Sequence, residues 1–199
     1  GEGSGVVVAA GPGMIGRYFL GKRVACLNQN EGTGMWAEYA VRGVKGGVLP
    51  LRDEVSLEQG AMSIINPLTA CAFLEITQKR GHKSIVLTAA ASSLGQKVNR
   101  LARSAGIEVV NIIRKDEEAE TLKEQGATIV LNSTNVDFDQ QLHDACHQTD
   151  ARLAFDAVAG PLTGQLLAAM PEHSKVTIYS ALSREAIQAS PSHLIFEDK

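Results

Sequence analysis

Apolar and polar positions change period partway along this chain. From Ser84 onward, short β-prone runs alternate with stretches of helical period. The pattern predicts strands over 84–88, 108–113, 128–131, 153–156 and 175–179. Between them it predicts helices over 93–104, 116–125, 138–148 and 161–170, with Gly106 and Gly126 closing the first two. Strand and helix alternating at this spacing imply a parallel, doubly wound sheet.

The preceding residues read differently. Gly5 to Ala10 is apolar and precedes a Gly11-Pro12-Gly13 turn, and Lys22 to Cys26 reads as a second strand. Met35 to Val41 alternates large and polar residues as a half-buried strand does, with Gly32 and Gly34 marking the turn before it. Val48 to Leu51 is a short strand interrupted by Pro50. Short strands with glycine-rich turns suggest a barrel or sandwich fragment. At Ser56 a capping-box pattern with Glu58 or Gln59 opens a helix expected to run to Ile65 and to break at Asn66-Pro67. Helix resumes over 68–78 and stops at Lys79-Arg80-Gly81. The expected domains are 1–65 and 66–199.

Bulk properties narrow the function. A chain of 199 residues can bury a core of one or two domains. A net charge of −3 gives no reason to propose nucleic-acid or anionic-membrane binding. The longest apolar runs fall short of a bilayer span, and the first residues lack the charged-then-apolar pattern of a secretory signal. Cys26, Cys71 and Cys146 are odd in number and far apart, which favours a reducing, cytoplasmic compartment over a disulfide framework. With no C-x-x-C pair, a cysteine-rich zinc lobe is excluded within these residues.

Candidate chemistry concentrates after the strand that starts at Ser84. The segment Thr88-Ala-Ala-Ala-Ser-Ser-Leu-Gly95 joins a strand to a helix through very small residues. Ala89, Ala90 and Ala91 allow a ligand to approach the backbone, while Ser92 and Ser93 can cap the helix or face a phosphate. A dinucleotide-binding βαβ unit opens in this way, although only Gly95 of a G-x-G-x-x-G fingerprint is present. A tight βα turn without a ligand has the same residues. The next strand ends in Arg114-Lys115 rather than in the carboxylate that accepts from ribose hydroxyls in NAD sites. A guanidinium suits a 2′-phosphate, so NADPH is expected over NADH. The alternative is a solvated basic pair, with Asp116, Glu117 and Glu118 engaging Arg114.

Several segments, in order, resemble the medium-chain dehydrogenase/reductase superfamily in its zinc-independent quinone-oxidoreductase and enoyl-reductase branch. They are Glu2-Gly-Ser-Gly-Val-Val7, Gly21-Lys-Arg-Val-Ala25 with Gly34-Met-Trp-Ala-Glu-Tyr-Ala-Val41, and Asn66-Pro-Leu-Thr-Ala70. Ala89 to Gly95, Phe155-Asp-Ala-Val-Ala-Gly160 and Tyr179-Ser-Ala-Leu-Ser183 complete the set, which covers essentially the whole chain. The resemblance implies an α/β fold, a Rossmann-type doubly wound parallel sheet preceded by part of a GroES-like β-barrel. It implies an active site in the cleft between the two. Asn66 and Thr69 would lie near the nicotinamide. Ala90, Ser92, Ser93, Leu94 and Gly95 would line the pyrophosphate, and Arg114 with Lys115 the 2′-phosphate. Ser133 would approach the adenosine end. Val158, Ala159, Ser180 and Ala181 would approach the nicotinamide ribose and ring. Ala159 and Ser180 stand where the family has glycine, which adds bulk there.

Zinc is not expected. Gly1 replaces the His of a G-H-E motif, and His82, His143, His147, His173 and His193 lack ligand spacing in the β-rich part. His143 and His147 share one predicted helix face, read as a solvated surface pair with Asp144. No general acid can be named, since Tyr18 and Tyr39 have no supporting constellation. A G-x-S-x-G elbow is absent, so a serine hydrolase is unsupported. The leading expectation is an NADPH-dependent oxidoreductase passing hydride to a quinone or an activated C=C of a small molecule. The alternatives are a zinc alcohol dehydrogenase with ligands outside these residues, and a non-catalytic nucleotide-binding protein or inactive fragment. By the resemblance the chain looks truncated at both ends. An unpaired last strand is then expected to recruit a second copy, giving a homodimer.

Overall fold

The computed structural model describes residues 1–27, 34–45 and 47–199. It divides into two compact units, Gly1–Thr69 and Ala70–Lys199.

The first unit carries a three-stranded antiparallel sheet, ordered β1(Glu2–Val6), β2(Arg23–Leu27), β3(Val48–Pro50). The first strand lies earlier than the apolar run predicts, because pairing sets it: Glu2 faces Leu27 and Val6 faces Arg23. Val7 only closes the connection, donating its N–H to Lys22 O and accepting from Gly21 N. The β-only reading missed α1(Met14–Phe19). The strand predicted over 35–41 is absent: residues 35–39 form bends, and Trp36 is fully exposed. Alternation marks two faces, but a strand also needs a partner edge, and none pairs here among the described residues. Instead the Arg42 guanidinium closes this segment by donating to Met35 Sδ. Gly34 lies in the described part of the turn, and Gly32 lies outside the described residues.

The capping box forms at Ser56, with Gln59 as its reciprocal partner. The helix it opens, α2(Leu57–Gly60), is one turn long rather than reaching Ile65. The long helix, α3(Ile65–Lys79), starts before Asn66-Pro67 instead of after it. A proline in the first turn forfeits no intrahelical hydrogen bond, so it opens this helix rather than breaking one. The start of α3 is capped from the chain N-terminus, where Glu2 Oε2 accepts from Ile64 N at 2.9 Å and Ile65 N at 2.8 Å.

The second unit holds a five-stranded parallel sheet of Rossmann type, ordered β6(Ile129–Asn132), β5(Glu108–Ile113), β4(Ser84–Leu87), β7(Leu153–Asp156), β8(Lys175–Ile178). The intervening helices are α4(Ser93–Ser104), α5(Glu117–Glu124), α6(Phe138–Thr149) and α7(Pro161–Ala169), and α8(Pro191–Phe196) follows β8. Strand residues alternate between two cores. Ile85, Leu87, Val109, Ile113, Leu153 and Phe155 pack with Phe73 of α3, Leu94 and Val98 of α4, and Leu122 of α5. Val86, Val110, Ile112 and Ala154 pack with Leu142 and Cys146 of α6 and Leu166 of α7. Both faces are covered, and the strands accordingly read as continuous apolar runs. A polar residue interrupts the run in β5. Asn111 in β5 is fully buried and fully engaged: its Oδ1 accepts from Asn99 Nδ2 of α4 at 2.7 Å, and its Nδ2 donates to Val109 O and Ile129 O.

The chain runs outward from β4 to β5 and β6, then returns to the far side of β4 as β7 and β8. This reversal leaves a crevice at the carboxyl ends of β4 and β7, where ligands bind in open α/β sheets.

Candidate dinucleotide-binding site

The β4 side of this crevice is the segment 88–95. Ala89 adopts φ +50°, a left-handed conformation that lets the chain leave β4 and enter α4 within a few residues. Ala90 is fully buried, and its N–H donates to Ile112 O of β5. Ser92 Oγ caps α4 by accepting from Gly95 N at 3.1 Å. Of the two roles open to Ser92, the structure shows the cap. Gly95 sits hard against the loop. A Cβ there would lie 2.6 Å from the Ala90 carbonyl carbon and 2.8 Å from its Cα. Glycine therefore lets α4 pack down on the end of β4 and aim its N-terminus across the crevice. Ser93 and Ser92 are exposed, while Leu94 is buried in the core. The helix N-terminus carries partial positive charge and outward N–H groups, the chemistry that receives a pyrophosphate.

At the end of β5, Arg114 and Lys115 are exposed. Glu118 Oε2 accepts from both of their backbone N–H groups at 3.3 Å, and Lys115 Nζ pairs with Glu117 Oε1 at 3.4 Å. The acidic residues thus engage the backbone and Lys115, and the Arg114 guanidinium forms no ion pair among the described residues. Ser133 is half-buried beside this strand end, its N–H donating to Ile113 O. The donor set suits a phosphorylated adenosine: a cation at the end of β5, one strand away from a helix N-terminus at the end of β4.

The β7 side is held by Asp156, whose role the sequence did not reveal. Its carboxylate is fully buried. Oδ1 accepts from Thr88 Oγ1 at 2.9 Å, Val158 N at 2.8 Å and Ala159 N at 3.2 Å, and Oδ2 accepts from Thr163 Oγ1 at 2.7 Å. Ala159 at φ +62° and Gly160 at φ +65° follow, so the loop makes a left-handed turn into α7. Ser180 and Ala181 are exposed just after β8, and the segment they begin runs beside this loop, Leu182 N donating to Ala157 O and Ser183 N to Val158 O. Tyr179 is a half-buried aromatic packed against the core, edge-on to Phe73 with ring centroids 4.9 Å apart. Burial, with the Asp156 charge adding to it, pushes its phenol up to about 12.

The structure therefore gathers Ala90, Ser92, Ser93, Leu94 and Gly95 with Arg114, Lys115, Ser133, Val158, Ala159, Ser180 and Ala181 at one end of the parallel sheet. Asn66 and Thr69 lie in the first turns of α3, in the other unit, and Thr69 Oγ1 donates to Ile65 O at 2.7 Å. Glu2, which occupies the position of a motif glutamate, serves as the α3 cap.

Metal chemistry finds no such set. Among the described residues no three His, Cys, Asp or Glu side chains come together as a metal site. His143 and His147 stack at 4.2 Å on α6, with His143 Nδ1 3.2 Å from Asp144 Oδ1. The hydrogen bond from His143 holds the exposed Asp144 carboxyl below the usual carboxylate range.

Comparison with known proteins agrees with this geometry. Residues 93–199 match the zinc-binding dehydrogenase family. The mitochondrial enoyl-[acyl-carrier-protein] reductase of Bos taurus is 29% identical over 202 residues, covering 99% of this chain and 53% of the relative. Its counterpart from Arabidopsis thaliana is 30% identical with the same coverage. A crystal structure of a candidate NADPH:quinone reductase from Mesorhizobium loti superimposes with a TM-score of 0.95 at 38% identity, covering 100% of this chain and 58% of the other. The chain spans about half the length of the curated relatives it matches. With its Rossmann-type sheet and the match over residues 93–199, the chain belongs to the zinc-binding dehydrogenase family, in the quinone- and enoyl-reductase branch of the medium-chain dehydrogenase/reductase superfamily.

Proposed function

We propose that this chain carries the cofactor site of an NADPH-dependent oxidoreductase that reduces a small quinone or the activated C=C of an enoyl substrate. The observation that carries the reading is the pairing of the Gly95-packed α4 N-terminus with the Arg114 side chain, which has no ion pair among the described residues, at adjacent strand ends. The names of the relatives support it from outside: enoyl-[acyl-carrier-protein] reductases among the curated proteins and a candidate NADPH:quinone reductase among the solved structures.

In this reading the bound dinucleotide supplies the hydride, and the protein binds and orients it. The α4 N-terminus neutralises the pyrophosphate, and Ser93, Leu94 and Gly95 shape its seat. Arg114 would hold the 2′-phosphate, since a guanidinium can offer two parallel N–H donors where a lysine offers a point charge. Ser133 bounds the adenosine. Val158, Ala159, Ser180 and Ala181 flank the nicotinamide half.

Following NADPH absorbance with an enoyl thioester and, separately, a quinone tests the activity. Consumption with either, at least tenfold faster than with NADH, is expected. Binding without turnover by the full-length protein would favour a non-catalytic role. A homodimer along β8 is part of the same reading, since β8 pairs only with β7 among the described strands. Sedimentation velocity checks it, and a strictly monomeric chain at high concentration would contradict it. The free thiols fit a cytoplasmic, reducing setting.

A further inference from the structure

The two sides of the crevice are stitched together by one side chain from each strand end. Thr88, the residue after β4, is fully buried and donates its hydroxyl to Asp156 Oδ1 at 2.9 Å. Thr88 Oγ1 in turn accepts from Ala157 N at 2.7 Å. Thr88 N also donates to Phe155 O at 3.2 Å. Asp156 then holds Val158 N and Ala159 N, the latter in a residue whose φ of +62° is unfavourable for any side chain. On its far oxygen Asp156 accepts from Thr163 Oγ1 of α7. The chain of bonds thus runs from the segment that opens the pyrophosphate loop, through a buried carboxylate, into the loop expected to flank the nicotinamide half.

We propose that Thr88 and Asp156 act together as positioning residues that fix the 157–160 loop against the 88–95 loop, and so set the grip on the nicotinamide half of the cofactor. This rests on the cofactor reading above. Both side chains are fully buried, so they act through the loops and not by contact with the dinucleotide. A carboxylate is well suited to the task, because it accepts from several donors at once and a left-handed alanine stays put only where its surroundings over-determine it. The adenosine half sits on Arg114 and the α4 N-terminus, at the other end of the crevice, and does not depend on these bonds.

The experiment measures affinity for NADPH and for 2′,5′-ADP, which has the 2′-phosphate and pyrophosphate-side charge but no nicotinamide. Thr88→Val keeps the side-chain volume and removes the hydroxyl. It is expected to weaken NADPH at least tenfold while leaving 2′,5′-ADP within twofold of the parent chain. Thr88→Ser is expected to restore NADPH binding. Thr163→Val, which removes the Oδ2 donor alone, is expected to show the same split at smaller size, and it serves if Thr88→Val does not fold by circular dichroism. Equal weakening of both ligands, or no weakening of either, would overturn the proposal. Failure of the unmodified chain to bind either ligand would instead overturn the cofactor reading, and this inference with it.

Discussion

Gly95→Ala is expected to lower the stability of the parallel-sheet unit by about 3 kcal/mol, the upper part of the range for overpacked sites. For a chain of this size that corresponds to a fall of roughly 6–12 °C in thermal midpoint, read by circular dichroism. The reason is the nature of the obstacle. The added methyl would meet the carbonyl carbon of Ala90 at 2.6 Å and its Cα at 2.8 Å, and backbone cannot swing aside as a side-chain tip can. Ala90 is itself pinned, fully buried with its N–H on Ile112 O. Relief can come only by lifting α4 off the end of β4, which moves the helix N-terminus out of the crevice. NADPH affinity should therefore fall more than tenfold along with stability. Gly81 and Gly106 provide a contrast. They need glycine for φ values of +73° and +66°, yet a Cβ at either would meet nothing within 4 Å. Alanine there should cost only about 1 kcal/mol of backbone strain.

Arg114→Ala is expected to weaken NADPH by tenfold to a hundredfold and to leave NADH within twofold. A charge-assisted hydrogen-bonded contact contributes about 1.5–3 kcal/mol, which sets that range. The effect falls on one ligand because NADH lacks the 2′-phosphate. Lys115 should matter less, since its ammonium is exposed and already paired with Glu117. Raising salt should erode the NADPH preference, because the contact is at the surface and screened. Titrating both nucleotides into the parent and variant chains provides the check. An unchanged preference in Arg114→Ala would remove Arg114 from the site.

Much of the parallel-sheet unit is legible in the sequence because its signals are local. Strands buried on both faces read as short apolar runs, and the glycines after α4 and α5 occupy left-handed positions that other residues resist. The Ala-rich loop and Arg114 stand out in the same way, by residue type and position after a strand. What escaped depends on pairing across long stretches of sequence. Met35 to Val41 alternates like a strand but has no described partner edge, so alternation alone misled. Pro67 read as a helix breaker because a first-turn proline and an interior one look alike until the helix start is known. Glu2 caps a helix 62 and 63 positions away, and Thr88 reaches Asp156 across 68 positions. Nothing in local composition distinguishes such a residue. Asp156 was read only as part of a strand-end pattern, although an acidic residue closing an apolar strand is a reason to look for donors around it.

NADPH is expected to lie across the carboxyl ends of β5, β4 and β7. Amide chemical-shift mapping of the isotopically labelled chain during an NADPH titration tests it most directly. The expected result is a set of saturable shifts at Ala90 and residues 92–95, at Arg114 and Lys115, and at residues 157–160, with the Arg114 group far smaller for NADH. Saturable shifts confined to other parts of the sheet, or none at all at millimolar NADPH, would contradict the account.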